Sequence, residues 1–167
     1  MEITLDMLLE SREKRWNFQR QLIQEHPELT LVCVTVIMPG NVKRNTQSLV
    51  VAHAAVQSVQ DAFAKDIRWQ QEKDLVTGYE AYFLIQRPML DCKRVACEIE
   101  DAHPLGRLFD IDVIDSNVEP VSRSVIGKEG RKCLLCEHEA RYCMRNHTHS
   151  REELQQRIQQ MIDAYAQ

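Results

Sequence analysis

Gly106-Arg107-Leu108-Phe109-Asp110-Ile111-Asp112-Val113-Ile114 alternates like a β-strand. Phe109, Ile111 and Val113 take one face, and Leu108, Asp110, Asp112 and Ile114 take the other. Two carboxylates two residues apart on one face repel each other and share a cation readily. Mg2+ suits them, because it takes oxygen ligands and completes its shell with water and phosphate oxygens. The plain alternative is an edge strand with a solvated acidic face. The setting favours a site: Gly106 admits a close approach of backbone or ligand, and Arg107 supplies a planar cation suited to phosphate.

Outward from this strand, Pro88 to Ala102 reads as a helix with proline near its start. Upstream, Ile67 and Trp69 alternate with polar residues, and Gly78 to Gln86 is apolar and aromatic. The two form a predicted hairpin turning through Glu72-Lys73-Asp74. Leu29 to Met38 is nearly continuous apolar sequence, as in a central strand buried on both faces, and Pro39-Gly40-Asn41 ends it with a turn. Thr46 to Lys65 has helical spacing, with His53 on the apolar stripe read as a core histidine. Residues 4 to 26 form a predicted first helix, capped by Thr4 and stopped by Pro27. Leu5, Leu8, Leu9, Trp16, Leu22 and Ile23 are its expected apolar side, and Arg12 to Arg15 its solvent side. Residues 133 to 165 read as helical with a break near His147 to Ser150, where Ser150 and Glu153 make a capping box. The expected fold is α+β: one domain over residues 1–167, a mixed β-sheet packed by helices, and a C-terminal helical segment.

Hydrophobic residues make up 44% of the chain and charged residues 28%, an ordinary globular balance. The net charge of −4 argues against non-specific binding of nucleic acid as the main task. No apolar run reaches the length of a membrane span, and the N-terminus lacks the pattern of a signal peptide. Six cysteines in a chain of this kind read as reduced thiols, so the expected compartment is the cytoplasm.

The stretch His103-Pro104-Leu105-Gly106-Arg107-Leu108-Phe109-Asp110-Ile111-Asp112-Val113 resembles the signature of the holo-acyl-carrier-protein synthase of citrate lyase. That family is also called apo-citrate lyase phosphoribosyl-dephospho-CoA transferase. Met38-Pro39-Gly40-Asn41-Val42-Lys43 is similar to the family's Pro-Gly-x-x-Lys turn. Arg131-Lys132-Cys133-Leu134-Leu135-Cys136, with Ala140 and Cys143-Met144-Arg145, is similar to its cysteine-bearing segment.

The resemblance implies a nucleotidyl-type transfer. The donor would be triphosphoribosyl-dephospho-CoA and the acceptor a serine of the citrate lyase acyl carrier protein, with pyrophosphate leaving. Such chemistry needs charge neutralisation and in-line positioning more than a protein nucleophile. The expected site has Asp110 and Asp112 as ligands of Mg2+, one of them helping to remove the serine proton, and Arg107 stabilising transition-state charge. Lys43 and Arg44, past the Pro-Gly turn, either bind the triphosphate or are solvated loop cations. Arg123, and Lys128 and Arg131 beside a glycine-bounded turn, read singly as surface charge and together as a basic wall for a polyphosphate. His103 either orients a phosphate or acts as a base, or it is a loop histidine that closes the preceding helix.

Cys133, Cys136, Cys143 and His147, with His149 as a substitute, allow a zinc reading. One unbroken helix would spread Cys133 and His147 over roughly 21 Å of rise, too far for one ion. Glu137-His138-Glu139 has no glycine or proline to break it, so packing of reduced thiols is the preferred reading and structural Zn2+ the alternative. Cys33, Cys92 and Cys97 read as core. Two other functions compete with the transferase. One is a non-catalytic zinc module that binds RNA or protein through residues 128–149. The other is a Mg2+-dependent nucleotidyltransferase using an ordinary nucleotide.

Overall fold

A computed structural model describes residues 1–167. Helix α1 (Leu5–Glu25) starts where the Thr4 hydroxyl accepts the Met7 N–H at 3.2 Å. Strand β1 (Thr30–Val36), helix α2 (Thr46–Ala62), the hairpin β2 (Ile67–Leu75) and β3 (Gly78–Ile85), helix α3 (Met89–Ala102) and strand β4 (Phe109–Ile114) follow. A short helix, α4 (Ala140–Asn146), and a longer one, α5 (Arg151–Tyr165), follow β4.

The sheet order is β2-β3-β1-β4, and every neighbouring pair is antiparallel. The α+β class holds, but the sheet is not mixed. The chain from β1 to β4 is two interlocked βαβ units, the split arrangement of ferredoxin-like folds. β1 and β2 run parallel but enclose β3; β3 and β4 run parallel but enclose β1. Each crossover thus skips a strand, and no parallel pair is hydrogen-bonded. The near-continuous apolar run became the central strand β1, with valine and cysteine side chains buried on both faces.

One sheet face presents Val32, Val34, Ala81, Phe83, Ile85, Phe109, Ile111 and Val113 to a core built with α2, α3 and α5. The other presents Leu31, Cys33, Tyr82, Leu84 and Ile114 to α1 through Leu22 and Phe18. α1 buries only part of the side its leucines suggested. Leu22 is buried and Leu8 and Ile23 are half-buried, but Leu5, Leu9 and Trp16 are exposed, and the polar Ser11 and Gln19 are buried instead. The strip of sheet beneath α1 is partly polar, so polar side chains meet it.

The hairpin turns at Val76-Thr77 and not through Glu72-Lys73-Asp74. β2 is an open edge strand, and its charged, exposed residues imitate a turn. α2 ends at Ala62, and His53 is exposed, its ring edge-on to Tyr79, so it is not a core histidine. At the opposite edge α3 covers β4, and a Glu100 carboxylate oxygen accepts the Ile111 N–H at 3.0 Å. Gly106 is required by this closure, since a Cβ there would lie 2.2 Å from the Glu100 carbonyl oxygen.

Residues 133–139 are not helical. Lys132 and Glu139 pair as an isolated antiparallel bridge, and the Cys133 N–H donates to the His138 carbonyl at 2.7 Å. The chain therefore doubles back before α4 begins. Ser150 and Glu153 cap α5 reciprocally, as expected. No helix is long and apolar enough to cross a membrane.

Candidate functional site

Asp110 and Asp112 project from the same face of β4, the face covered by α1. Their partners on β1 are Thr35 and Cys33. The Thr35 hydroxyl donates to Asp110 Oδ2 at 3.4 Å. Burial, then the charge of Asp110, pushes Asp112 up to about 7, with Lys93 and Arg15 opposing through their charge and Glu100 adding to the rise. A half-buried, poorly solvated carboxyl beside a second carboxylate holds a proton near neutral pH unless a cation takes the proton's place. The buried Glu80 of β3 shares this face. It accepts a hydrogen bond from the Tyr82 hydroxyl, and Arg15 of α1 lies 3.4 Å from its other oxygen. Gln19, also on α1, reaches the buried Cys33 thiol at 3.5 Å.

A group of cations lies at the Asp110 end of the sheet. Ile37 N–H bonds to Leu108 O at 2.9 Å, so the Pro-Gly loop after β1 runs beside the turn that leads into β4. Lys43 in that loop donates to the Met38 carbonyl at 2.5 Å. Burial, then the charges of Arg12 and Arg151, holds its ammonium below the ordinary lysine range. Gly40 at φ +87° lets the loop pass Arg151, whose Cδ would be 3.3 Å from an added Cβ. The loop also takes the N-terminus, with Ile3 N–H on Asn41 O at 2.9 Å. Lys43 thus feels two like charges from other parts of the chain, an arrangement that suits a polyanion.

The remaining sequence candidates lie elsewhere. Arg44 makes a two-pronged pair with Asp74 at 2.6 and 2.7 Å. Half-buried Arg107 does not turn toward the aspartates; its Nε donates to the Lys132 carbonyl at 2.5 Å. Arg131 donates to the carbonyls of Phe109 and Gly106 at 2.6 and 2.7 Å, and Arg123 pairs with Glu100 at 2.9 Å and Asp101 at 3.0 Å. Lys128 also binds Asp101, at 3.0 Å. Arg107, Arg123, Lys128 and Arg131 hold the C-terminal loop against α3 and the start of β4. They form no single wall with Lys43. His103 accepts the Leu105 N–H on Nδ1 at 2.9 Å and packs on Phe109 and Tyr165; burial lowers its pKa.

Sequence reasoning missed Arg12, Arg15, Glu80 and Arg151. Arg12 and Arg15 had a signal, since residues three apart share a helix flank. Glu80 had one too, as the lone acid in the otherwise apolar strand Gly78–Ile85. Two cavities flank the region. One of about 330 Å3, lined by Met38, Asn45, Gln47 and Gln155, adjoins the Lys43 loop. A larger one of about 570 Å3 opens at the far end of β4, by Ile114 and Asp115, away from the aspartates.

The cysteine segment also departs from expectation. The doubling back at 133–139 supplies the break that its sequence did not announce. His147, at φ +47°, turns the chain after α4, so that His149 and not His147 comes back toward the cysteines.

The family model for apo-citrate lyase phosphoribosyl-dephospho-CoA transferase matches residues 3–165 of this chain. A probable apo-citrate lyase phosphoribosyl-dephospho-CoA transferase of Vibrio cholerae serotype O1 (strain M66-2) is 38% identical over 174 residues, spanning 99% of this chain and 95% of that protein. One from Streptococcus pyogenes serotype M18 (strain MGAS8232), with the same description, is 34% identical over 167 residues, spanning 98% of this chain and 87% of its own length.

Proposed function

The chain belongs to the apo-citrate lyase phosphoribosyl-dephospho-CoA transferase family and is a transferase of that activity, and we propose how its residues carry the transfer out. The donor is triphosphoribosyl-dephospho-CoA, and the acceptor is a serine hydroxyl of the citrate lyase acyl carrier protein. The serine oxygen forms a bond to the phosphorus nearest the ribose, and the bond from that phosphorus to the pyrophosphate oxygen breaks. The hydroxyl proton passes to one of the two aspartate carboxylates. The reaction is of the nucleotidyltransferase type and takes place in the cytoplasm.

The observation that carries this reading is the pair Asp110 and Asp112 on one face, with no guanidinium or ammonium bound directly to either. Two hard oxygen donors, one protonated near neutrality for want of a cation, fit Mg2+. When bound, the ion would neutralise charge on the phosphate oxygens. Lys43 and Arg12 would bind the departing pyrophosphate end, and Arg15 would hold Glu80 on the same sheet face, two strands from the aspartates. Arg107 is not assigned transition-state charge here, because its fork is turned to the cysteine loop.

The test mixes the chain with apo-carrier, donor and Mg2+, and weighs the carrier by mass spectrometry. A gain equal to the prosthetic group supports the reading; no gain with the wild-type chain overturns it. Release of pyrophosphate from ATP or CTP alone would instead favour an ordinary nucleotide. The match over nearly the whole chain disfavours a non-catalytic zinc module.

A further inference from the structure

We propose that Cys133, Cys136, Cys143 and His149 form a closed, structural zinc site that locks the C-terminal loop onto the strand bearing Asp110 and Asp112. The four ligand atoms, three Sγ and one imidazole nitrogen, lie within 4.8 Å of one another. Cys136 Sγ is 3.4 Å from Cys143 Sγ and 3.4 Å from His149 Nε2. All three thiols are free, and 3.4 Å is far beyond a disulfide bond of about 2.0 Å. A tetrahedral zinc with Zn–S of about 2.3 Å spaces its sulfurs about 3.8 Å apart, so a contraction of about 1 Å suits the widest pair.

The backbone is shaped for this. Cys133 and Cys136 sit on the doubled-back loop, and the Leu135 N–H donates to Cys133 Sγ at 3.4 Å. Such a donor stabilises a metal-bound thiolate from outside the coordination shell. Cys143 comes from α4, and the left-handed turn at His147 returns His149 to complete the set. Three thiolates and one imidazole fill four positions. None is left for water, so the site serves structure and not hydrolysis.

Apart from the Lys132–Glu139 bridge, the Cys133–His138 hydrogen bond and an exposed Lys132–Glu137 pair, little holds the loop's shape, and α4 is only two turns long. Yet the loop delivers Arg131 to the carbonyls of Gly106 and Phe109, and its Lys132 carbonyl receives Arg107. A crosslink within residues 133–149 therefore fixes the approach to β4 from the side opposite Lys43.

The experiment measures metal in the full chain purified under reducing conditions. One zinc per chain is expected. Exchange for Co2+ is expected to give the visible absorption of tetrahedral cobalt with sulfur-to-metal charge transfer. Cys136→Ser and Cys143→Ser should lose metal, whereas Cys92→Ser, at a thiol buried in the core, should keep it. If the loop variants fail to fold, removing zinc from the wild-type chain with a chelator provides the second readout. Amide exchange should then rise across residues 128–149 and stay low in β1 and β3. Absence of both zinc and a cobalt spectrum from the reduced chain overturns the proposal, as does a Cys136–Cys143 disulfide in the freshly isolated protein.

Discussion

Asp110 stands opposite Thr35 in the β1–β4 ladder, and the Thr35 hydroxyl is the direct hydrogen-bond donor to its carboxylate, at 3.4 Å. A single hydroxyl does not neutralise two adjacent acids. Asp110→Asn and Asp112→Asn should each lower transfer about 100-fold or more, in line with losing charge stabilisation at a reacting phosphate. Circular dichroism should remain that of the wild type. Near-normal turnover by either variant would remove the aspartates from the chemistry.

Asp112 also makes stability depend on pH. Its folded pKa of about 7 is above the ordinary aspartate value, so between those values the folded state binds more protons than the unfolded state. Stability is therefore lost as pH rises from about 4 to about 7. After burial, the charges of Asp110 and Glu100 raise this pKa and those of Lys93 and Arg15 lower it, and together they set the size of the effect. Metal-free Asp112→Asn should be more stable than wild type at pH 8 by up to about 4 kcal/mol, and the gain should fade toward pH 4. Thermal melts at the two pH values measure it; equal gains at both would contradict the burial of this charge.

Lys43 and Arg44 are neighbours with opposite expected roles. Lys43→Met should raise KM for the donor about tenfold, the worth of one charge-assisted contact. Arg12→Gln should act in the same direction. Arg44→Gln should leave KM unchanged, because that guanidinium is committed to Asp74. Steady-state kinetics with varied donor separates them, and an Arg44 effect as large as that of Lys43 would redraw the phosphate path.

Gly106→Ala places a methyl group against backbone and not against a side chain that can swing away, with the Glu100 carbonyl oxygen at 2.2 Å. The end of α3 must move, and the loss should be about 3 kcal/mol. Glu100→Ala should cost more, about 3–5 kcal/mol, because Ile111 loses its acceptor while Arg123 and Arg131 lose their shared anion. Denaturant melts of both variants test the order.

The central strand, the helix caps and the acidic strand were legible because each is local. Val32, Val34 and their neighbours are buried whatever the topology, and Asp110 and Asp112 share a face wherever β4 lies. What depended on distant partners was not legible. Leu5 and Leu9 look like core until the sheet beneath α1 proves to carry Glu80 and the two aspartates. Arg107 looks aimed at phosphate until the Lys132 carbonyl is found beside it. The doubling back at Glu137-His138-Glu139 has no glycine or proline to mark it, since a bridge between Lys132 and Glu139 makes the turn.

The Pro-Gly loop receives Ile3 from one terminus and Arg151 from the last helix. Without the last helix the Lys43 loop lacks one wall, so the four strands by themselves leave the seat for a polyanion open on the side that Arg151 closes.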